Sequence, residues 1–456
     1  MAVIALVYIT ERNIFDAIRQ ISGMLCYYVI SVFSCLTLYN LFFHPLRNFP
    51  GPLGAKVSRF WLSAKVFRKR NAFEYIHSPH KPHGPFVRVG PSELSIAHPQ
   101  AVEIIHGQKS KCTKSAWYDI SRPVISLQTF RDRYLHVARR RIWSAAFSDR
   151  QLCGYEQRIR VHRRKLMNYI WSVEGKLIDM TKWFKLYSFD VMGDLAFGQG
   201  FDMLDSSREH WAVKLLADGF KPCGYMLPTG QTIPDIASAM LAPLEGRTPT
   251  KYDLDLLTGD SQLIVVAGSD TTGTTMAAIL YELIRHPYHI GKLRTELAPY
   301  KPDDTTGEYQ NDGIAHLSHL NGIVNEALRL HPPVPTFLPR KTPPEGIVID
   351  GVYIPRNTTV WCPQYVLGRD EAVYTEPENF IPERWYKFPA MVKENTSNCI
   401  GKPPALSNIR TTIAQLVMTF DFALAPSDDG SKFNADSTEQ FVLRKGELNL
   451  VFERRA

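Results

Sequence analysis

The sequence predicts a mostly α-helical protein with minor β structure, preceded by one N-terminal transmembrane helix. An uncharged apolar run covers residues 21–43, and short alternating runs interrupted by turn residues indicate a few hairpins. Hydrophobic residues recur with helical period in Leu135–Ala146, Thr181–Leu195, Asp260–His286, Leu317–His331 and Ile409–Phe420.

The apolar run is long enough to cross a bilayer at a rise of about 1.5 Å per residue. A buried core helix is the alternative for the same run. Charges before the run balance, whereas a series of basic residues comes after it, so the positive-inside rule places the C-terminal body in the cytosol. The sequence therefore predicts a lumenal segment over residues 1–20 and a transmembrane helix over residues 21–43.

Prolines separate this predicted anchor from the rest of the chain. Pro45, Pro50 and Pro52 cannot continue a helix, which predicts a stiff Pro-rich hinge over residues 44–52. No linker or internal repeat divides the chain after the hinge, so residues 53–456 are expected to form one domain. Its hairpins are predicted at Pro85–Ala97, around the turn Asp350-Gly351, and at Phe441–Phe452.

The net charge of +8 is compatible with nucleic acid, an anionic membrane surface or an acidic protein partner. Zinc-finger spacing and interleaved basic and aromatic runs are absent from the sequence, so nucleic-acid binding is not expected. The seven cysteines are odd in number and contain no CxxC pair. This pattern argues against a disulfide framework and a structural zinc site, and it favours a reduced compartment with one special thiolate.

The predicted helix over Asp260–His286 is apolar nearly all round but carries Asp270, Thr271 and Thr272 in its middle. A buried acid is costly unless something uses it, which makes this segment a candidate site. The alternative is a core helix whose threonine hydroxyls bond to the preceding turn and whose aspartate is paired elsewhere.

Two further motifs contain residues of catalytic or structural interest. Glu326 and Arg329 share a helix face, and Arg384 in PERW supplies a possible second guanidinium for the same carboxylate; a solvated surface pair is the alternative. Cys399 directly precedes a helix predicted to begin near Gly401, where a thiolate is favoured by the helix N-terminus. A small buried hydrophobic residue is the alternative for this cysteine.

Taken in order, AGSDTT, EALR, LPR, PERW and CIGK resemble the motif series of the cytochrome P-450 family. The similarity extends through the apolar run, HPLRNFPGP and HVARRRIWSAAFS, and its details resemble fungal members that tailor secondary metabolites. The resemblance implies the cytochrome P-450 fold, with residues 53–456 as a haem-thiolate monooxygenase domain. Such a domain inserts one oxygen atom of O2 into an apolar small molecule.

The resemblance also implies residue roles. Cys399 would be the axial ligand of the iron of haem b, with Gly401 beside the cofactor, and its thiolate would promote O–O cleavage. Asp270 and Thr271 would deliver protons to the bound oxygen. Glu326, Arg329 and Arg384 would form a buried structural triad. The haem propionates would be neutralised by His136, Arg140 and Arg340, although Arg139 to Arg141 also fit a solvated basic face or a sorting signal.

Electrons are expected from NADPH through a separate cytochrome P-450 reductase, because the sequence has neither a flavin domain nor a GxGxxG after a strand. Lys402 and Arg410 would belong to a basic surface that docks this partner. The resemblance further implies a single-pass protein of the endoplasmic reticulum membrane with its catalytic domain in the cytosol.

Two regions depart from the family pattern. The places of the usual Phe, Gly and Arg before the cysteine hold Val392, Asn395 and Ser397, and the loop over residues 385–398 is short. A second abrupt join lies between residues 221–230 and 231–241, where the family has a further helix. The alternative function is therefore a degenerate or mis-spliced haem-free relative, at most a membrane-tethered binding protein. A hydrolase finds no support, since GxSxG and HExxH are absent.

Overall fold

A computed structural model of the chain describes residues 14–67, 71–147, 149–210, 236–244, 248–336, 338–392, 402–426 and 428–455. Helices dominate, and the strands form small sheets, in agreement with the predicted fold class. In chain order, the described helices up to residue 241 are α1 Ile14–Leu38, α2 Leu53–Val57, α3 Phe60–Val66, α4 Ala72–His83, α5 Pro99–His106, α6 Arg133–Ala146, α7 Asp149–Ser172, α8 Met180–Phe197, α9 Met203–Ser206 and α10 Ile236–Leu241.

The remaining helices include the longest one. They are α11 Lys251–Arg285, α12 Pro287–Leu297, α13 Asn311–Ile314, α14 Ser318–Leu330, α15 Gln364–Leu367, α16 Lys402–Thr419 and α17 Ser431–Ala435. The segment PERW folds as a 3₁₀ turn over Pro382–Trp385. All five predicted helical segments are helices, and each differs from its prediction mainly at the ends.

Four sheets are present in the described residues. The largest has the order β1-β2-β8-β5-β3, with β1 Phe86–Gly90, β2 Glu93–Ile96, β8 Thr359–Trp361, β5 Arg340–Lys341 and β3 Thr113–Lys114. The others pair β6 Ile347–Ile349 with β7 Val352–Ile354, β10 Thr438–Gln440 with β11 Val442–Arg444, and β12 Asn449–Arg454 with both β4 Leu177–Asp179 and β9 Phe420–Leu424.

The N-terminal helix α1 exposes a nearly continuous set of large apolar side chains, among them Leu25, Tyr28, Ile30 and Phe33. The stretch Ile18–Phe43 has a mean hydropathy of 1.8 and buries none of its residues in the body, so it could be a membrane anchor. The helix begins at Ile14, within the predicted lumenal segment, and its last turn over Tyr39–Phe43 is a π-helix.

The proline-containing hinge is attached to the body by a buried arginine. Arg88 on β1 donates from Nη1 to the carbonyl of Asn40 at 2.9 Å and to that of Leu46 at 3.4 Å. Its own backbone N–H donates to the carbonyl of Pro50 at 2.7 Å. The hinge therefore has a fixed path between anchor and body.

The long helix α11 runs through the main core and packs against α8. The two backbones approach closely at Gly273, where a Cβ would lie 3.0 Å from the carbonyl oxygen of Phe184. Near its N-terminal end, the buried carboxylate of Asp260 accepts from Arg139 Nε at 2.6 Å and from Trp143 Nε1 at 3.0 Å. This group holds α6 against α11.

Two of the three predicted hairpins are present, and the third is wrong. Strands β1 and β2 pair as expected, as do β6 and β7 around Asp350-Gly351. In the segment Phe441–Phe452, however, β11 pairs with β10 whereas β12 pairs with β4 and β9. The backbone between them is held elsewhere, because Gly446 N donates to the carbonyl of Phe433 at 3.0 Å. Partners outside the segment thus override the local turn signal.

Gly446 provides a test of this arrangement. A Cβ at this position would lie 2.1 Å from the carbonyl oxygen of Lys432, a backbone atom that cannot rotate away. We expect Gly446→Ala to destabilise the protein by about 1–3 kcal/mol, as overpacking does elsewhere, and to lower the midpoint of thermal denaturation. The control is Gly313→Ala, since a Cβ there meets no atom within 4 Å. Equal midpoints for the two variants would contradict the observed path of residues 444–449.

Candidate functional site

Of the acid and the hydroxyls predicted in the middle of α11, Asp270 and Thr271 are half-buried and Thr272 is buried. Thr271 Oγ1 donates to the carbonyl of Ala267 at 2.6 Å, and Thr275 Oγ1 donates to that of Thr271 at 2.7 Å. Thr274 is different, because its hydroxyl donates to Leu443 O on β11 at 3.1 Å. Thr271 therefore makes the bond from its hydroxyl to the preceding turn that is expected for threonines in a core helix. This bond is compatible with a role of Thr271 in proton delivery.

Asp270 is the titratable group of this segment. Burial raises the pKa of its carboxyl above the ordinary value, and the positive charges of Arg444 and Lys185 oppose this effect. The net shift favours the protonated acid relative to an exposed aspartate. A carboxyl with a raised pKa holds its proton to higher pH and is a suitable proton donor.

A cluster of cationic groups forms where α6 meets the largest sheet. His136 and Arg140 lie on α6, Lys114 on β3 and Arg340 on β5. Burial, followed by the charges of Lys114, Arg140 and Arg340, lowers the pKa of His136 to about 4. Burial and then Arg340 lower the pKa of Lys114 to about 7. Within the described part of the chain, these four groups have no carboxylate at ion-pair distance.

This composition indicates an anion site. Positive charges that are gathered in a partly buried region disfavour one another unless a negative charge joins them. Two of the groups are held by local contacts, since Lys114 Nζ donates to Gln128 O at 2.7 Å and Arg340 Nη1 to Tyr118 Oη at 2.8 Å. Sequence reasoning found His136, Arg140 and Arg340 but missed Lys114, which no motif marks.

Arg139 differs from its neighbours. The alternative of a solvated basic face is wrong for Arg139, whose side chain is 8% exposed and bound to Asp260. Arg140 and Arg141 are exposed. On α6, Arg139 therefore binds α11, and the next residue, Arg140, lies at the cationic cluster.

Glu326, Arg329 and Arg384 come together in one buried ion group, so the alternative of a surface pair is wrong. Arg329 donates from Nη2 to Glu326 Oε1 at 2.7 Å and from Nε to Oε2 at 2.9 Å. Arg384 Nε donates to the same Oε1 at 2.9 Å, and both Glu326 and Arg384 are fully buried. Sequence reasoning missed Trp385, whose Nε1 donates to Glu326 Oε2 at 2.9 Å.

The guanidinium groups of this triad also bind the chain that comes after α15. Arg329 donates to the carbonyls of Gly368, Pro377 and Asn379. Arg384 donates to the carbonyls of Thr375 at 2.7 Å and Glu376 at 3.1 Å. The triad therefore connects α14, the segment 368–379 and the PERW turn.

The predicted thiolate site lies outside the described residues, as do Asn395, Ser397 and Gly401. The adjoining residues are described. Val392 forms an isolated bridge with Tyr374, and α16 begins at Lys402. Lys402 is exposed, and Arg410 is half-buried with its Nε 2.8 Å from Asn321 Oδ1.

The described residues fit haem on the sides that they form. Lys114, Arg140 and Arg340 supply positive charge, the neutral His136 supplies a hydrogen-bond donor, and no described carboxylate pairs with them, which suits a ligand with two carboxylates. Helix α11 supplies an apolar surface with an acid and a hydroxyl. Cys399 is the residue whose chemistry suits the iron.

Comparison with known proteins supports the same assignment. The family model for cytochrome P-450 matches residues 50–244 and 227–452. Tryprostatin B 6-hydroxylase of Aspergillus fumigatus is 45% identical over 484 positions, which cover 96% of this chain and 86% of that protein. The cytochrome P-450 monooxygenases notG' of Aspergillus versicolor and lcsK of Purpureocillium lilacinum are 43% and 36% identical, covering 97% and 98% of this chain and 89% of each relative.

The same comparisons bear on the departures from the family pattern. An alignment of 484 positions exceeds the 456 residues of the chain, so the Aspergillus fumigatus relative contains internal residues without a counterpart here. The two ranges of the family match also overlap over residues 227–244, at the abrupt join in the sequence. Both the motif geometry and the extent of these matches lead to one conclusion. The chain belongs to the cytochrome P-450 family and is a monooxygenase of the kind found in fungal secondary-metabolite pathways.

Proposed function

We propose that this chain binds haem b through Cys399 and hydroxylates tryprostatin B or an aromatic small molecule like it. The cationic cluster of Lys114, His136, Arg140 and Arg340 carries the cofactor part of this proposal, because it is a partly buried site for a dianion. The substrate part rests on the relative that is named for its action on tryprostatin B.

Bound haem supplies the activation of O2, and the chain supplies ligation, charge and protons. The Cys399 thiolate binds the iron. Lys114, His136, Arg140 and Arg340 neutralise the two propionates. Proton delivery falls to Asp270, whose raised pKa keeps the acid form available, and to Thr271, whose hydroxyl can exchange its bond to Ala267 for one to a neighbouring donor or acceptor.

The triad has a positioning role in this proposal. Arg384 leads directly into the loop 385–398 that ends at Cys399. Because Glu326 fixes both Arg384 and Trp385, it determines where this loop leaves the body. The triad therefore fixes the start of the loop that leads to Cys399, although the loop is short.

The electron supply and the location complete the proposal. The exposed apolar face of α1 fits a lipid bilayer, and we place the protein in the endoplasmic reticulum membrane with residues 53–456 in the cytosol. Electrons come from NADPH through a membrane-bound cytochrome P-450 reductase. Exposed Lys402 and half-buried Arg410 belong to the basic surface that such an acidic partner would contact.

The first test is haem binding and turnover in microsomes that contain the full chain and a reductase. We expect a carbon-monoxide difference band at the position of thiolate-ligated haem and NADPH-dependent monooxygenation of tryprostatin B. Cys399→Ala should abolish both. The control is Cys362→Ala, since burial raises the pKa of the Cys362 thiol to about 12 and keeps it from serving as a thiolate.

The outcomes of this test separate the cofactor from the substrate. Colourless protein would favour the haem-free alternative and contradict the proposal. A thiolate band without product from tryprostatin B would leave the cofactor assignment in place and refute the substrate.

A second test concerns proton delivery. Asp270→Asn keeps the size of the side chain but removes the acid, so product formation should fall by about 10²-fold or more while NADPH is still consumed. Ser269→Ala is the matched control, because Ser269 is the buried neighbour and its hydroxyl has no described partner. Equal product yields from Asp270→Asn and Ser269→Ala would rule out the role of Asp270.

A third test concerns the triad. Glu326→Gln leaves two buried guanidinium groups against a neutral amide, which should cost about 3–5 kcal/mol of folding stability. We expect a lower midpoint of thermal denaturation and a lower haem content. Glu371→Gln replaces an exposed glutamate and should change neither quantity. A wild-type midpoint in Glu326→Gln would show that the ion group does not stabilise this fold.

A further inference from the structure

A second group of ligand-type side chains lies outside the proposed haem site. His289 on α12, His319 on α14 and Glu383 in the PERW turn each offer a donor atom, and these atoms lie within 4.8 Å of one another. All three residues are buried, with exposed fractions of 8%, 2% and 9%. Nothing in the proposed oxygenase chemistry uses them.

Two of the ring nitrogens lack hydrogen-bond partners. His289 Nδ1 and His319 Nε2 are buried and make no hydrogen bond of good geometry in the described part of the chain, where the imidazoles only approach the backbone carbonyls of Phe380 and His289, respectively. His289 Nδ1 lies 3.8 Å from Glu383 Oε1, and the two imidazole rings are 5.2 Å apart. Buried polar atoms without partners are uncommon, and two of them beside one carboxylate suggest an absent ligand.

The ring of His319 is held in place through its other nitrogen, since Nδ1 lies 2.9 Å from Tyr386 Oη. This contact leaves Nε2 as the nitrogen that can face a metal ion.

The ammonium group of Lys292 already lies against the carboxylate of this group. Its Nζ donates to Glu383 Oε1 at 2.7 Å. The group opens onto a cleft of about 680 Å³ that is lined by Lys292, His319, Tyr386 and Glu296 among others. A metal ion could enter through this cleft and displace the ammonium group of Lys292, which is part of the cleft wall.

We propose that His289, His319 and Glu383 bind one zinc-class divalent cation. Two imidazoles and a carboxylate are a typical ligand set for zinc, and a water molecule from the cleft would fill the fourth position. Tetrahedral ligands at about 2.0–2.1 Å from zinc lie roughly 3.3 Å apart, so the side chains need only a small movement towards one another. The ion would connect α12, α14 and the PERW turn.

The test is zinc binding by the detergent-solubilised full chain, measured by competition with a chromogenic chelator. We expect one zinc per chain that is lost in His319→Gln. Lys292→Met should bind zinc at least about tenfold more tightly, because it removes a positive charge beside the ligand carboxylate. His316→Gln, which removes an exposed histidine near the start of α14, should bind as the wild type does.

The opposite responses of two variants keep the outcome clear. A gain in Lys292→Met cannot arise from misfolding, and zinc bound by exposed histidines or thiols would be unchanged in His319→Gln. Binding that is equal in the wild type, His319→Gln and Lys292→Met would overturn the proposal. So would a loss in His316→Gln alone. The result is independent of haem binding and of turnover.

Discussion

The carboxylate of Glu326 is the group on which the arrangement of the site depends. It is fully buried and accepts from both guanidinium groups, from Trp385 and from the backbone N–H of Ile381, 2.9 Å from Oε1. A buried charge of this kind is tolerated only when its partners are complete. The helix α14, the segment 368–379 and the PERW turn therefore have to assemble together, and they define the point from which the loop to Cys399 departs.

A second buried carboxylate, that of Asp260, holds two other helices of the site together. Asp260, in the N-terminal third of α11, binds Arg139 and Trp143 on α6, and its Oδ1 also accepts from Leu127 N at 2.7 Å. The same contact thus positions α11, which carries Asp270, against α6, which carries His136 and Arg140. Two ion groups in apolar surroundings set the geometry of a site whose own residues come from elements distant in sequence.

Sequence reasoning was successful where the signal is local or ordered along the chain. Helical periodicity predicted α11 and α14, and the order of EALR and PERW predicted that Glu326 meets its two arginines. It could not choose Arg139 from a run of three arginines, because the partner Asp260 is more than a hundred residues away. The segment Phe441–Phe452 has the composition of a hairpin, yet each of its strands pairs outside the segment. Periodicity and composition describe the structure that a segment can form by itself. They contain no information on which distant segment it will contact.

The cationic cluster links the proposed cofactor to the stability of the chain. Burial and then the charge of Arg340 lower the pKa of Lys114, and burial followed by the charges of Lys114, Arg140 and Arg340 lowers the pKa of His136. No described carboxylate lies at ion-pair distance from these groups. The folded chain without haem therefore carries an electrostatic cost that two propionates would remove. A ligand that binds only the folded state stabilises that state by mass action. Lys114, which no sequence motif marks, therefore belongs with His136, Arg140 and Arg340 in the proposed propionate site.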